Sequence, residues 1–352
     1  MAIIRYKNVG IRAVSACVPK GVETTESLSY FMPHEDIEKV KTQIGILEKR
    51  IADNEVCSSD LCLKAAEDLL EREGIDRAEM DALIFVSQTS DYHQPATAPI
   101  LQHRLKLGKH CLSFDVNLAC SGYVYGLSIA YAFASQTGVK NVLLLVGETM
   151  SKIVSRKDKV NTPLFGDAGT ATLISKCADE RETIFSLHSD GEGAEVMMVP
   201  YGGFRNPSCA EGLVTEMDTD GSERNREQFR MDGMEVFNFG MREEPKDIKG
   251  LLAEAGKTME EVDLVVFHQA NRFMTDFFAK RLKVSVEKVP YCISKYGNTS
   301  SASIPLTLCS EMSGEAYPNR KHVILSGFGA GLSWGSLLVD LNETKINEVI
   351  EY

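Results

Sequence analysis

Short apolar runs alternate along this chain with segments whose apolar residues recur at helical spacing. Runs such as 142–146 (VLLLV) and 264–267 (LVVF) have the length of β-strands. Helix-like segments precede them, and glycine or polar residues bound them. Strands of this kind, apolar throughout and alternating with helices, are typical of α/β proteins whose mostly parallel sheets are buried on both faces.

The pattern occurs twice. Residues 69–86 read LLEREGIDRAEMDALIFV and residues 251–268 read LLAEAGKTMEEVDLVVFH, so that, for example, Asp81 matches Asp263 without a gap. In each stretch an amphipathic helix ends at a glycine, and an acidic residue precedes an apolar strand. A second pair, NVLLLVGE (141–148) and HVILSGFG (322–329), has nearly the same separation. Any two αβ units share some of this pattern, but two pairs about half the chain apart favour a duplication.

We therefore predict two similar αβ halves, 1–180 and 181–352, which meet near residues 175–190 and pack their sheets together. Residues 205–232 are polar and poorly periodic. They are interpreted as an excursion on the surface or over a site, outside the core.

Composition excludes several classes of protein. The chain has 352 residues, of which 43% are hydrophobic and 25% charged, the balance of a globular protein with room for a large core. The net charge of −12, with no concentrated basic tract, is unfavourable for binding nucleic acid.

The same composition predicts the compartment. No apolar run approaches the ~20 residues of a spanning helix, and charges at Arg5 and Lys7 interrupt the place of a signal peptide. The nine cysteines are scattered and contain no CxxC pair, which favours reduced thiols and a cytoplasmic protein.

Cys120 is the first candidate for chemistry. The stretch DVNLACSGYVYGLSIAYAFA predicts a strand, a tight turn of small residues and an apolar helix, with Cys120 at the elbow. A cysteine near a helix N-terminus is stabilised as a thiolate, so we expect a lowered pKa. This segment alone allows a nucleophile or a buried structural cysteine equally.

Two further polar residues follow apolar elements. His268 ends the strand LVVF, at the sheet edge where open αβ folds place ligands, although a core histidine bonded to backbone is the ordinary alternative. Asn298, in KYGNTSSASIP, lies in a turn before a helix, where asparagine is common for local reasons.

The glycine run 325–335 (LSGFGAGLSWG) indicates either flexible backbone near a site or tight packing. It is not a dinucleotide fingerprint, because a strand-like segment follows it.

Five elements in one order resemble a known family. NLACSGYVYGL, FGDAGTATLI, HQAN, YGNTSSASIP and GFGAGLSWGS are together similar to β-ketoacyl-acyl-carrier-protein synthase III, within the thiolase superfamily. The resemblance covers about residues 8 to 340. It implies a five-layer αβαβα fold of two similar halves, usually assembled as a homodimer.

The resemblance also implies a Cys-His-Asn site of Cys120, His268 and Asn298. The thiol would hold an acyl group as a thioester, and the imidazole and amide N–H groups would stabilise the oxyanion formed when malonyl-carrier protein loses CO2. The backbone N–H groups of Cys120 and Ala330 would form an oxyanion hole, with Phe328, Gly329 and Gly331 nearby. The family usually has glycine at the position of Ala330, and alanine can replace it provided its φ stays negative. No metal or redox cofactor is implied.

Departures from the family affect the donor. Members that use acetyl-CoA carry Trp and Arg near the adenine ring, where this chain has Lys39 and Gln43, and the only Trp is Trp334. This weakens acetyl-CoA as the starter and favours another acyl thioester, such as one on a carrier protein. Residues 85–99 lie where the family shapes its acyl pocket across the dimer.

An acidic carrier protein requires a basic patch. Candidates for docking lie in NRFMTDFFAKRLKV: Arg272, Lys280, Arg281 and Lys283. Lys280 and Arg281 match docking positions of the family, whereas Phe273 stands at the position of its other docking arginine. An ordinary solvated helix face is the alternative.

Other functions remain open at this point. The same fold could transfer the acyl group to a hydroxyl or amine, or condense two acyl thioesters without decarboxylation. A non-catalytic partner subunit is a further alternative, although such subunits often lose the three residues kept here. A cysteine hydrolase is disfavoured by the apolar helix after Cys120 and by the lack of an evident second base.

Overall fold

The structure, a computed structural model, describes residues 2–178 and 181–352. Residue 180, the end of the predicted first half, lies outside the described residues, and the division at 180/181 stays a prediction. The strands are β1 Ala2–Lys7, β2 Val9–Val18, β3 Val22–Thr24, β4 Glu48–Arg50, β5 Met80–Val86, β6 Leu112–Val116, β7 Asn141–Thr149, β8 Asp167–Lys176, β9 Glu182–Ser189, β10 Met197–Met198, β11 Glu216–Met217, β12 Glu223–Arg224, β13 Arg230–Met231, β14 Leu264–Phe267, β15 Val323–Gly329, β16 Ser333–Val339, β17 Lys345–Ile346 and β18 Ile350–Glu351. The α-helices are α1 His34–Lys39, α2 Ser58–Glu73, α3 Thr97–Arg104, α4 Gly122–Ala134, α5 Gly233–Ala255, α6 Arg272–Leu282, α7 Ile293–Tyr296 and α8 Ser303–Met312.

Two mixed sheets form the framework. The first has the order β17-β2-β8-β7-β5-β6, with β18 also paired to β2, and the second has the order β1-β9-β16-β15-β14. Within them β5–β6, β5–β7 and β14–β15 are parallel, while β7–β8 and β15–β16 are antiparallel. The predicted α/β fold is confirmed. The prediction that its sheets are mostly parallel is wrong, because the described residues of the two sheets form five parallel and five antiparallel strand pairings.

Helices α4 and α8 lie between the sheets. Their apolar residues, among them Tyr123, Leu127 and Ile304, share one buried cluster with Val146 of β7 and Leu325 of β15. Helices α2 and α3 cover the outer face of the first sheet, and α5 and α6 cover the outer face of the second. The layers therefore alternate as helix, sheet, helix, sheet, helix, each sheet being buried on both faces.

The predicted repeat is present in matching detail. Helices α2 and α5 both end at a glycine in the left-handed conformation, Gly74 with φ 60° and Gly256 with φ 63°. The side chain of Asp81 accepts backbone N–H bonds from residues 140 and 141, and that of Asp263 accepts them from residues 321 and 322. Asp81, the second residue of β5, and Asp263, directly before β14, thus make the same tie to the start of the neighbouring parallel strand.

The ends of the chain cross between the sheets. Strand β1 pairs with β9 in the second sheet, whereas β17 and β18 pair with β2 in the first. Each sheet is therefore completed by a strand from the opposite terminus.

The excursion predicted at 205–232 contains only the two-residue strands β11, β12 and β13. Arg224 ties it to the first half through an ion pair with Asp158 at 2.6 Å. The same side chain pairs with Asp218 within the excursion at 2.7 Å. Its last residues, Phe229 and Met231, line the main cavity. This end lies over a site, as predicted, but Phe229 is buried in the same apolar cluster as α5 and α6, so this part of the segment is not outside the core as predicted.

Within the described residues, no helix combines the length and apolar character needed to cross a bilayer. All nine cysteines lie in these residues, and none of them forms a disulfide.

Candidate active site

Cys120 lies at the elbow that the sequence predicts. Strand β6 ends at Val116 and α4 begins at Gly122, so that Cys120 comes just before the helix at the inner end of a cavity. Its side chain is buried, with 9% of the residue exposed. The Sγ atom lies 3.6 Å from Oγ of Ser300.

The predicted lowering of the Cys120 pKa is wrong. Burial raises the pKa of this thiol to about 12, and the hydrogen bond with Ser300 opposes the rise only in part. Burial disfavours the charged thiolate more than the nearby helix N-terminus stabilises it. The thiol is therefore held protonated, and its proton must leave as the sulfur attacks.

Glycines of β15 pack directly on Cys120. A Cβ added at Gly327 would lie 2.8 Å from the carbonyl oxygen of Cys120, and one at Gly329 would lie 2.8 Å from its Cβ. Neither distance is tolerated between real atoms. Of the two interpretations of the glycine run, tight packing is the one that applies here.

We predict that Gly329→Ala displaces the Cys120 side chain. The overlap with Cys120 forces either a backbone shift or a strained rotamer, at a cost of about 1–3 kcal/mol. Acylation of Cys120 by an acyl thioester, followed by intact mass, should slow strongly while the fold is retained by circular dichroism. Gly314→Ala is the control, since no heavy atom lies near its added Cβ. Equal acylation rates in the two variants would refute this packing argument.

Ala330 follows this strand and lines the cavity. In the described residues, the non-glycine residues with positive φ are Asn8, Lys106, Lys283 and Ser300, and the left-handed value near Ala330 falls on Gly331 instead. The condition for alanine at this position is therefore met, because its backbone does not need the freedom of glycine.

His268 follows β14 and is also buried against the cavity, with 2% of the residue exposed. Its backbone N–H donates to the carbonyl of Ser326 on β15 (2.7 Å), which fixes the turn. Burial lowers the pKa of the imidazole to about 3, opposed by a backbone hydrogen bond with Ser300, so the ring is neutral. The Phe328 ring packs edge-on against it at 5.8 Å between centroids.

A hydroxyl holds the ring of His268. Oγ of Ser303 lies 2.6 Å from Nδ1 of His268, and it accepts the backbone N–H of Gln269 at 3.4 Å. With one lone pair engaged by Gln269, the hydroxyl can donate its proton to Nδ1. In the tautomer in which Ser303 donates to Nδ1, the imidazole proton resides on Nε2, which is the donor that the proposed mechanism uses.

Asn298 completes the group. Its backbone pairs with the loop before β8, where its N–H donates to Leu164 and its carbonyl accepts from Gly166. Its Oδ1 accepts the N–H of Ser300 at 2.8 Å, which leaves the NH2 end of the amide for the cavity that the residue lines. Asn298 therefore makes the local turn bond that is common for asparagine and also lines the cavity.

The hydroxyl residues of GNTSSAS were missed as functional candidates. Ser300 contacts Cys120, Ser301 donates to Glu148 at 3.0 Å, and Ser303 contacts His268. Ser300 also has a left-handed φ of 50°, which is strained for a residue with a Cβ. A run of hydroxyls directly after the candidate asparagine was the signal that could have identified them.

The cavity that these groups share has a volume of about 430 Å³. Cys120, His268, Asn298, Phe328, Gly329 and Ala330 all line it, whereas Gly331 is not among its lining residues. Most of its wall is apolar and rich in methionine, including Met32, Met197 and Met274. Lys39 and Gln43, from α1 and the turn after it, also line it.

The docking candidates lie on or just after α6 and are exposed. Arg272 pairs with Asp276 at 3.6 Å and lies over the ring of Tyr291. The helix ends at Leu282, and Lys283 caps it in the left-handed conformation, so Lys283 lies beyond the regular helix face. Phe273 is 55% exposed on the same helix.

The fold and this group of residues define a thiolase-like condensing enzyme. Sequence models of 3-oxoacyl-[acyl-carrier-protein (ACP)] synthase III match residues 114–193, and those of its C-terminal domain match residues 252–341. Beta-ketoacyl-[acyl-carrier-protein] synthase III of Natranaerobius thermophilus is 34% identical over 94% of this chain and 99% of its own length. The corresponding enzyme of Fusobacterium nucleatum is 32% identical over 95% of this chain and 98% of its own length.

Solved structures agree. A 3-oxoacyl-(acyl-carrier protein) synthase from Burkholderia xenovorans superimposes with a TM-score of 0.93 at 36% identity, covering 100% of this chain and 99% of that one. Synthase III from Thermus thermophilus gives 0.81 at 33% identity, covering 94% and 98%. The chain belongs to the β-ketoacyl-acyl-carrier-protein synthase III family, a family of acyl-transferring condensing enzymes.

Proposed function

We propose that the protein forms a 3-oxoacyl thioester from an acyl thioester and malonyl-carrier protein. The thiol of Cys120 attacks the acyl donor, a new S–C bond forms, and the donor leaves as a thiol with the proton. The malonyl group then loses CO2, and the electron pair of the broken C–C bond passes into an enolate. The enolate carbon attacks the acyl carbonyl, the bond to Cys120 breaks, and the sulfur takes up a proton from solvent.

The observation that carries this proposal is the convergence of Cys120, His268 and Asn298 on one cavity. A neutral imidazole and a primary amide are two uncharged donors for the enolate oxygen, whose negative charge appears only as CO2 departs. The N–H groups of Cys120 and Ala330 are proposed as donors to the acyl oxygen. These steps exchange no electrons with a redox cofactor and require no metal.

The apolar wall supports a thioester arm as the ligand. A neutral pantetheine chain and an aliphatic acyl group bury apolar surface against residues such as Met32, Phe229 and Met274. Lys39 at this cavity pairs with Asp36 at 3.0 Å. Neither Lys39 nor Gln43 offers a flat apolar face to an adenine ring. We therefore propose a donor other than acetyl-CoA, such as an acyl group bound to carrier protein.

We propose that the carrier docks on α6. Lys280 and Arg281 are exposed on a chain whose net charge is −12, so a local positive patch is needed to attract an acidic partner. The exposed Phe273 supplies an apolar contact beside it.

Reversing both charges tests this surface. We predict that Lys280→Glu with Arg281→Glu raises the KM for malonyl-carrier protein several-fold to about tenfold at low salt, with kcat little changed. The effect should shrink as salt is added, because exposed charges are screened. Lys249→Glu with Lys257→Glu, on and after α5, is a charge-matched control. An unchanged KM in the α6 variant, or an equal rise in the control, would reject this docking site.

The wider setting follows from the same chemistry. We propose a role in fatty acid biosynthesis, a cytoplasmic location with carrier protein as partner, and assembly as a homodimer. Tyr92, in the segment 85–99, is 62% exposed, which supports contact between this surface and a second copy of the chain.

The deciding experiment offers the purified protein a panel of acyl-CoA and acyl-carrier donors. Intact mass should reveal an adduct on Cys120, and adding malonyl-carrier protein should release CO2 and discharge the adduct as a 3-oxoacyl product. Discharge without CO2 would indicate acyl transfer or non-decarboxylative condensation, and no adduct with any donor would oppose an enzymatic role for Cys120.

A further inference from the structure

A buried carboxyl group lies behind the wall of the cavity. Glu148 is the last residue but one of the apolar strand β7 and is 0% exposed. It does not line the cavity, but its partner Gln88 does, and so does Ser300, which precedes its partner Ser301. A charge on Glu148 raises the pKa of the Cys120 thiol, a smaller effect than burial.

The first half of the chain supplies three of its partners. From the segment after β5, the Thr89 hydroxyl donates to Glu148 at 2.8 Å, the Gln88 backbone N–H at 3.1 Å and the Ser87 hydroxyl at 3.3 Å. These bonds fix the carboxyl group where β5 and β7 end. Burial raises its pKa to about 7, and the hydrogen bonds from Thr89, Gln88 and Ser301 oppose the rise.

The second half supplies the fourth partner. Oγ of Ser301 donates to Glu148 Oε1 at 3.0 Å. Ser301 lies in the short 3-10 turn Ser300–Ala302, between Asn298 and Ser303. The segment 298–303 therefore carries the amide of Asn298, the Ser300 hydroxyl that contacts Cys120 and the Ser303 hydroxyl that holds His268. Ser301 links this segment to Glu148 in the opposite half.

We propose that Glu148 is a positioning residue, which through Ser301 holds the segment 298–303 in register with Cys120. A fully bonded buried carboxyl group restricts all of its donors together, and losing it leaves them unpaired. Asn298 is also held by its backbone bonds with Leu164 and Gly166, so the group that depends most on this tie is Ser303, which holds the His268 ring for the decarboxylation. Cys120 is positioned by the elbow and by β15, and its side-chain contact with the segment is the 3.6 Å approach of Ser300 Oγ. The inference rests on the proposed function for the assignment of the two half-reactions.

The assignment predicts a separation of the two half-reactions. Ser301→Ala removes the hydrogen bond of Glu148 that crosses between the halves. It leaves the other three donors on Glu148, and the backbone bonds of Asn298 with Leu164 and Gly166, in place. We expect it to lower decarboxylation of malonyl-carrier protein about ten- to a hundredfold, while acylation of Cys120 stays within about twofold of the wild type. Glu148→Ala should have the same selectivity, and combining the two should add little, since they break the same tie.

The conservative variant distinguishes positioning from charge. In Glu148→Gln the amide oxygen can still accept from Ser301 and Gln88, and the amide NH2 can donate to the hydroxyls of Ser87 and Thr89. We expect it to retain most of the decarboxylation rate. Asp247→Asn is the control, a buried carboxyl group bound by the hydroxyls of Ser186 and Ser336 and by the ring of His188 at 2.8 Å. It should change thermal stability without changing the ratio of the half-reactions.

The wild type is measured in the same assays, so that a failure of the proposed function can be distinguished from a failure of the positioning role. If it forms no adduct on Cys120, or releases no CO2, the proposed function fails. If it performs both and Ser301→Ala changes them equally or not at all, the positioning role is wrong. A loss in Glu148→Gln as large as in Glu148→Ala would also overturn it, and Ser301→Ala keeps the test valid should Glu148→Ala not fold.

Discussion

Replacing Cys120 with serine should abolish malonyl-dependent condensation. Serine keeps the size of the side chain, but its hydroxyl is a much weaker nucleophile than sulfur for thioester exchange. The nearby imidazole is a weak base for activating it, because burial lowers the pKa of His268 to about 3. We expect a fall of about a thousandfold or more in 3-oxoacyl product. Intact mass should find no stable acyl adduct.

The control for this experiment is Cys209→Ser. Cys209 is an exposed thiol in the excursion, away from the cavity lining. Its replacement should leave the adduct and the condensation rate as in the wild type. Condensation that survives in Cys120→Ser would remove the nucleophile from its assigned role, and an adduct that disappears only in Cys209→Ser would move it to another thiol.

The sequence predicted the repeated part of the fold because the repeat lies in local patterns. A helix, a left-handed glycine and an acidic residue before an apolar strand can each be recognised within about twenty residues. Asp81 and Asp263 were paired from letters alone, and they make equivalent bonds in the structure. The pattern can be recognised within each stretch, whereas the backbone partners of the two carboxylates, residues 140–141 and 321–322, lie 58 to 60 residues further along the chain and could not be predicted from it.

Pairing between distant segments could not be predicted in the same way. Strand β1 joins the second sheet and β17 joins the first. The two residues of β17 carry too little periodicity to predict any partner. The choice of partner is made by burial against the completed sheets, an effect of tertiary structure.

The site shows the same division. An elbow at Cys120 could be predicted from a strand, a small-residue turn and a helix. The direction of its pKa shift could not, since it depends on how deeply β15 and the second half bury the sulfur. The partners of Ser301 and Ser303 likewise lie far away in the chain, at Glu148 and His268.

The second large effect is expected when His268 or Asn298 is replaced by alanine. Each substitution removes one donor to the enolate oxygen, and the loss of one such donor costs about a hundred- to a thousandfold in rate. Acylation of Cys120 should suffer far less, because the acyl oxygen has its own backbone donors. The measurements are CO2 release from malonyl-carrier protein and the rate of adduct formation on Cys120.

The pH dependence gives this prediction a second readout. Burial lowers the pKa of His268 to about 3, so the ring stays neutral between about pH 5 and 8 and decarboxylation should show no step from its titration there. His268→Gln tests the same point, because its amide offers an N–H but does not titrate, and it should recover part of the rate lost in His268→Ala. Equal losses of acylation and decarboxylation in both alanine variants would mean that the two residues maintain the site as a whole. A titration step near pH 6.5 that vanishes in His268→Gln would mean that the imidazole acts as an acid or base, and the pair of neutral donors would then be the wrong chemistry for this cavity.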